Sequence, residues 1–254
     1  MMSESEFNLP NPPIVEAVLD IECDLPPGQQ LAVLKESAQE RFRERYPKFR
    51  TKWVHEHLVA ATPGGPSELS VRQGVEAFQF LQDDEKQLVQ VRTQGFSFNR
   101  LAPYTSLDDY VPTIEQAWRV YIGLAAPVQV RLIRLRYINR ILLPFLEGRV
   151  NLDDFFTVGP RLPDGDNLSF VSFFNQHAAV EVQTGHQVNI VFASQPPQED
   201  QLPVIFDNCV TASEPGEPEN WDWILTTIRS LRGLKNRIFK RSLKEPCLKL
   251  FQNR

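Results

Sequence analysis

Cysteine is scarce in this chain, which holds three, Cys23, Cys209 and Cys247, and no CxxC pair. The odd count and the spacing argue against a disulfide framework and against a zinc ribbon. Long apolar runs are also missing, because no window approaches the ~18 apolar residues of a membrane span. The acidic start MMSESEFNLPNPP lacks the basic and apolar regions of a signal peptide. We therefore expect a cytoplasmic protein that does not contact a membrane.

Recognisable catalytic machinery is missing as well. Neither a P-loop nor a GxGxxG motif after a strand occurs. His55, Glu56 and His57 place two imidazoles on one face of a predicted strand, but the spacing of HExxH and an obvious third ligand are lacking. His177 and His186 flank a predicted hairpin, with no nearby serine or cysteine that indicates a triad. We expect no catalytic residue, no metal and no cofactor, and an unrecognised hydrolase or nuclease is the third functional hypothesis.

The most regular stretch lies between Pro127 and Pro144 and reads PVQVRLIRLRYINRILLP. β-Branched and aromatic residues recur through it, which predicts one long central strand of roughly 50 Å at ~3.3 Å per residue. Because side chains alternate along a strand, one face carries arginines among apolar neighbours. The other face, which includes Tyr137, is predicted to be mostly core, with Asn139 as its one polar interruption. The arginines are Arg134, Arg136 and Arg140.

Two interpretations of these arginines are open. In the first, they pair with acidic residues of neighbouring strands, Glu16 being a candidate partner of Arg136, or lie on a solvated face. In the second, the arginines form a basic platform. Asn139 lies between Arg136 and Arg140 in the sequence, but on the opposite face of the strand. Such a platform binds a carboxylate, a phosphate or an acidic protein surface through bidentate contacts.

The order of the predicted elements indicates an α+β fold. A strand at about 14–23 precedes a helix at about 29–46, a meander of strands within 53–101 and a helix at about 106–124. Further strands follow the central one, and the last predicted element is a helix at about 218–242. We predict a largely antiparallel sheet with a long central strand and flanking helices.

The domain organisation follows from the same order of elements. Residues 1–12 are predicted to be a flexible tail, and residues 13–254 a single compact α+β domain. Its halves, 13–126 and 127–254, each show a strand, then several antiparallel strands, then a helix with tryptophan. This similarity raises the hypothesis of a duplicated βαβββα-like unit.

Positive charge is concentrated at the C-terminal end, although the whole chain has a net charge of −5. Nine Lys or Arg residues lie between Arg229 and Arg254, against one acid, Glu245. In one interpretation the basic helix packs on the acidic remainder of the chain. In the other it is a docking surface for an acidic protein or for nucleic acid. The candidate binding residues on it are Arg229, Arg232, Lys235, Asn236, Arg237, Lys240 and Arg241.

Four segments carry a resemblance to a known family. They are PPIVEAV at 12–18, VQVRTQGFSFNRLAPY at 89–104, LRYINRI at 135–141 and LRGLKNRIFKRSL at 231–243. In this order and spacing, the chain resembles a sporadically distributed prokaryotic family of uncharacterised proteins. The resemblance implies no activity, and the patchy distribution implies a mobile or defence-related genetic context.

The leading functional hypothesis is therefore a non-catalytic protein-interaction or regulatory module, with another protein as its partner. The alternative is a binder of nucleic acid or of a small anionic ligand, through the central-strand arginines or the basic C-terminal helix. Nucleic-acid binding is expected to be weak, because most of the surface is acidic.

Overall fold

Nine strands pair into a single antiparallel sheet in the part of the chain that the computed structural model describes. The described residues are 9–60, 68–146, 148–164, 167–168 and 170–252, with the backbone alone described within 55–60 and 68–72. The strands are β1 Ile14–Asp24, β2 Lys48–Ala60, β3 Glu68–Leu81, β4 Gln87–Arg92, β5 Gly95–Leu101, β6 Gln129–Pro144, β7 Phe174–Val180, β8 Gln187–Ser194 and β9 Gln201–Ala212. Across the sheet they run β2-β3-β4-β5-β1-β6-β9-β8-β7, so β1 and β6 are central, while β2 and β7 are the edges.

The helices are fewer and mostly shorter than the strands. They are α1 Lys35–Phe42, α2 Leu107–Ala125, α3 Leu152–Phe155, α4 Trp221–Ser242 and α5 Glu245–Lys249, and a 3-10 turn at Leu31–Leu34 precedes α1. Side chains of Ser106 and Asn220 cap α2 and α4 by accepting hydrogen bonds from backbone N–H groups in the first turn. None of the helices in the described residues is long and apolar enough to cross a membrane.

The predicted α+β class with flanking helices is wrong, although the sheet is antiparallel as predicted. The molecule is mostly sheet: β2 and β3 have 13 and 14 residues, whereas α1 has only eight. The helix predicted at 29–46 is short because residues 43–45 form a turn and β2 begins directly after Pro47. The apolar spacing of that segment is helical, but the charged residues after Phe42 lie in the turn.

The two faces of the sheet differ in polarity. On one face, alternate residues of every central strand are apolar and buried, and α2 and α4 pack against them. On the other face, one row of register neighbours is almost entirely polar. From β2 to β8 this row contains Arg50, Gln79, Gln90, Ser97, Asp20, Arg134, Thr211 and Gln187. The core is therefore one-sided, as expected for an antiparallel sheet with one solvated face.

The buried side chains form two hydrophobic clusters on the helix-covered face. The larger one joins the central strands to α1, α2 and the first part of α4, with Trp118, Tyr121 and Phe96 in mutual contact. The smaller one lies under α3, α5 and the end of α4, and includes Phe206 and Phe239. The middle of α4 therefore lies where the two clusters meet.

Both predicted halves of the chain contribute strands to one sheet. Strands from 13–126 and from 127–254 join the same sheet, with β1 pairing with β6. The single domain over 13–254 and its two similar halves stay predictions. Residues 1–8 of the predicted tail lie outside the described residues, while Asn11 donates a backbone hydrogen bond to Phe251.

Candidate functional site

A cavity of about 410 Å³ lies between α4, the central strands, the loop before α2 and the N-terminal segment. We call it the α4 cavity. Its walls are Tyr137 and Asn139 of β6; Arg232, Lys235, Asn236 and Phe239 of α4; Tyr104 to Leu107 and Asp109 around the start of α2; and Leu9, Pro10, Pro12, Pro13 and Ile14. Its volume is within the ~300–1,000 Å³ of typical small-molecule sites.

Sequence spacing explains why these side chains meet. Arg232, Lys235 and Asn236 lie three and four residues apart, which places them on one face of a helix. Tyr137 and Asn139 lie two apart in β6 and share the helix-covered face of the sheet. Each of the four segments that carry the family resemblance contributes to the cavity wall, through Ile14, Tyr104, Tyr137 and Lys235 among others.

Lys235 is the most unusual group in the cavity. Its residue is only 9 % exposed, and its Nζ lies 3.6 Å from the centroid of the Tyr137 ring. Among the described residues, its ammonium has no hydrogen-bond acceptor and no carboxylate partner. Burial, followed by the nearby positive charge of Arg232, lowers the pKa of Lys235 to about 7. Lys235 is thus a desolvated amine in the cavity wall, and among the described residues the contact of its ammonium is the Tyr137 ring.

Two phenols, the buried Tyr137 and the half-buried Tyr104, lie next to this amine. The hydroxyls of Tyr104 and Tyr137 are 2.7 Å apart and share a hydrogen bond. Burial raises the pKa of Tyr137 to about 12, and burial also raises the pKa of Tyr104. Both phenols are therefore protonated at neutral pH, so one O–H of the pair remains to donate to a group in the cavity.

Arg232 adds a second positive charge to the wall. Its guanidinium donates to Asp108 in the first turn of α2, with Nη1 2.6 Å from the carboxylate. Asn139, which is 2 % exposed, donates to the Phe206 carbonyl at 2.9 Å. These contacts fix the positions of both side chains, which is a requirement for a preorganised binding site.

The central-strand arginines lie on the opposite face of the sheet, away from the α4 cavity. Arg136 binds Asp207 with Nε and Nη2, at 2.5 to 3.0 Å, so its partner is Asp207 and not Glu16. Arg134 pairs with Asp20 and Glu22 at 3.6 and 3.3 Å. These contacts are those of the first interpretation, pairing with acids on neighbouring strands.

Arg140 differs from the other two arginines in that it binds neutral side chains. It donates to the side-chain oxygens of Gln195 and Gln198 at 3.0 and 2.5 Å. The structure therefore separates the first candidate group: Asn139 faces the α4 cavity, while Arg134, Arg136 and Arg140 face the open side of the sheet.

The second candidate group is divided around the circumference of α4. Arg232, Lys235 and Asn236 line the cavity, and Arg237 pairs with Glu181. The remaining members are exposed: Arg229, Lys240 and Arg241. The basic run of the sequence is therefore spread over several faces of the helix.

The other groups considered contribute no residue to the described wall of the α4 cavity. The backbone of His55–Glu56–His57 lies in β2, and their side chains are outside the described residues. His186 contacts Ser230, with Nε2 3.2 Å from the hydroxyl. A second depression on the open face is lined by charges that pair with each other, as Glu85 does with Arg50. Within the described ranges, no cluster of three metal-ligating side chains occurs.

The sequence interpretation missed the two tyrosines of the site. Tyr137 was assigned to the core by its alternation in β6, and Tyr104 ended a motif without a role. The available signal was their position within LRYINRI and VQVRTQGFSFNRLAPY, the segments that also supply cavity residues. The search for positive charge in β6 indicated the arginines on its other face instead.

Comparison with known proteins gives no further constraint on the site. The chain matches no protein-family model, and no curated protein is significantly similar to it.

Proposed function

We propose that this protein binds a small anionic ligand in the α4 cavity. The observation that carries the proposal is Lys235, a buried amine that faces the cavity without an acceptor among the described residues. Burial of such a group costs stability unless an opposite charge compensates it, and a hydrocarbon side chain would fill the same space at lower cost. A bound carboxylate or phosphate supplies the compensating charge.

The remaining wall supports this ligand class. Arg232 lies one helical turn before Lys235 and adds positive charge, and the phenols of Tyr104 and Tyr137 provide an O–H donor. Phe239, Pro12 and Ile14 give the apolar surface that a ligand pocket usually has. The pattern fits a small molecule with an anionic oxygen group at one end.

Binding of an anion should depend on pH through Lys235. An anion favours the charged amine and therefore raises its pKa above the value of about 7 in the free protein. Affinity is then constant below that pKa and falls as the pH rises above it, until the pKa of the complex is passed. At a pH just above 7, binding should take up a proton.

The test is isothermal titration calorimetry with inorganic phosphate, pyruvate and glutarate at slightly acidic pH. We expect saturable one-to-one binding of at least one of these anions, and a loss of about tenfold or more in affinity for Lys235→Met. Lys240→Met, an exposed position on the same helix, is the matched control and should bind like the wild type. Absence of saturable binding by all three anions, or equal binding by Lys235→Met, would contradict the proposal.

A second candidate function, protein interaction, is favoured by the edge strand β7. Its sequence FNQHAAV contains no Lys, Arg, Asp or Glu and no proline, which are the usual devices that protect an edge. Phe174 and Val180 are 71 % and 60 % exposed. This edge suits an extended segment of another protein that adds a strand to the sheet. A cytoplasmic location and a regulatory or defence-associated role belong to this candidate.

Substitution on the edge separates this candidate from ligand binding. Phe174→Lys and Val180→Lys should leave the melting temperature nearly unchanged, because both side chains are exposed. If the edge binds a partner, wild-type protein should retain that partner in a pull-down and the two variants should lose it. Equal recovery by the variants would exclude β7 as the contact.

A further inference from the structure

The α4 cavity combines an amine, a proton donor and a cation in one small space. The amine of Lys235 lies against an aromatic ring and next to Arg232, on the same face of the helix. The hydroxyl pair of Tyr104 and Tyr137 belongs to the same wall. Amine nucleophiles in proteins are activated by apolar surroundings and by a neighbouring cation, and both conditions are present here.

We infer that Lys235 forms a reversible imine with a 2-oxo acid bound in the α4 cavity. This inference rests on the anion site proposed above, and it names the class of ligand for that site. The carboxylate of a 2-oxo acid is attracted by the positive charge of Arg232. Its carbonyl carbon, one bond away, is then presented to Nζ of Lys235.

The step balances without an oxidant or a reductant. The lone pair of the neutral amine attacks the carbonyl carbon; the carbonyl oxygen then takes up a proton and the nitrogen releases one, which gives a neutral carbinolamine. The carbinolamine takes up one proton on its hydroxyl, loses one molecule of water and leaves a protonated imine on Nζ. The phenols of Tyr104 and Tyr137, which stay protonated at neutral pH, are placed to donate to the oxygen.

The protonation state of Lys235 supports this chemistry. Its pKa of about 7 leaves a large fraction of neutral amine at neutral pH, whereas an ordinary lysine is almost entirely charged. Among the described residues, the charged groups that line the cavity with Lys235 are Arg232 on the same helix and Asp109 at the start of α2, and the phenols of Tyr104 and Tyr137 line it as well. Asp108 pairs with Arg232. Arg232 therefore disfavours the charged form of the amine.

The test is reductive trapping of the whole protein with pyruvate and sodium cyanoborohydride, followed by mass spectrometry of the intact chain and its peptides. We expect a single reduced adduct on Lys235, retained in Lys240→Met and absent from Lys235→Met. Acetone, which has the carbonyl but no carboxylate, should react at least about tenfold more slowly, as should pyruvate with Arg232→Gln.

The possible results separate the inference from the proposed function. Calorimetric binding of pyruvate or phosphate without an adduct on Lys235 overturns the imine and leaves the anion site in place. Adducts spread evenly over surface lysines, or equal labelling by acetone, also overturn it. If the protein neither binds these anions nor forms an adduct, both the anion site and the imine are overturned.

Discussion

Lys235 should make the stability of the protein depend on pH in an unusual direction. Its pKa is about 7 in the folded chain and 10.5 ordinarily, so between these values the unfolded chain holds a proton that the folded chain does not. The free energy of unfolding therefore rises by about 1.4 kcal/mol per pH unit between these two values. Below pH 7 the folded protein carries the full cost of the buried amine. Lys235→Met should be more stable than the wild type at pH 7, and the difference should shrink toward pH 10.

Chemical denaturation across this pH range checks the effect of Lys235. The difference between wild type and variant is the relevant quantity, because the titration of all other groups cancels in it. A variant that is less stable than the wild type at pH 7, or a difference that does not change with pH, would show that the amine is solvated in the folded chain.

Arg136 should contribute to stability through its partner. Asp207 is 8 % exposed and receives the guanidinium through two nitrogens, while 45 % of the Arg136 side chain is exposed. Removal of the arginine leaves a buried carboxylate unpaired, but solvent screens part of the cost, so we expect Arg136→Ala to destabilise by about 1–3 kcal/mol. Arg140→Ala, whose glutamine partners are neutral, should cost less. Urea denaturation measures both, and equal losses would contradict this role of the Asp207 pair.

At the residue scale, the sequence predicted three residues of the cavity wall, but from their charge and not from their position in the fold. Arg232, Lys235 and Asn236 were candidates because they belong to a dense basic run, not because they face a cavity. Burial of Lys235 depends on how α4 is rotated against β6 and on the N-terminal segment that closes the other side, and local sequence does not contain that information. Tyr137 was predicted as core, which is correct for its 2 % exposure, but its hydroxyl reaches the cavity.

At the scale of elements, two glycines should respond to alanine in opposite directions. Gly95 begins β5 with φ +139°, and a Cβ there would lie 2.1 Å from the Ile21 carbonyl oxygen of β1. Gly233 lies inside α4 in open space. We expect Gly95→Ala to destabilise by more than about 2 kcal/mol, and Gly233→Ala to stabilise by roughly 0.5–1 kcal/mol.

Thermal melts of the two glycine variants and the wild type provide the measurement. A tolerated Gly95→Ala would mean that β5 and β1 do not approach as closely as the structure shows. A destabilising Gly233→Ala would mean that this position of α4 is packed and not open.

The elements themselves were predictable where periodicity was strong. The strand predicted between Pro127 and Pro144 is present as β6, and the helix predicted at about 218–242 is present as α4 from Trp221 to Ser242. The helix predicted at 29–46 was overestimated, because helical spacing of apolar residues continued to Tyr46, beyond the last helical residue Phe42. Tyr46 is buried although it lies outside the helix, and its hydroxyl accepts a hydrogen bond from the Gln87 side chain. This contact joins distant parts of the chain.

On the scale of the whole molecule, the sheet has one covered and one open face, and ion pairs occupy much of the open one. Sequence alternation predicted the two faces of β6, but it did not predict that helices cover one face alone. The strand order β2-β3-β4-β5-β1-β6-β9-β8-β7 could not be derived from the sequence, since it depends on long-range pairing. The fold class was therefore wrong even though several strands were placed correctly.

Charge distribution over the molecule predicts weak binding to nucleic acid. The net charge is −5, and several cations near the C-terminus are buried or paired, as Lys235 and Arg237 are. We expect affinity for duplex or single-stranded oligonucleotides in the non-specific range of ~10⁻⁴–10⁻⁶ M, and weaker at higher salt. Fluorescence anisotropy measures it, and tight, sequence-selective binding would contradict this expectation.

The most direct test of the account is the pKa of the Lys235 amine, measured by carbon-13 NMR of labelled lysine side chains with and without phosphate. Lys235→Met assigns the signal by its disappearance. The account predicts a pKa of about 7 in the free protein and a higher value with saturating phosphate. A pKa near the ordinary value of 10.5 that phosphate leaves unchanged would contradict it.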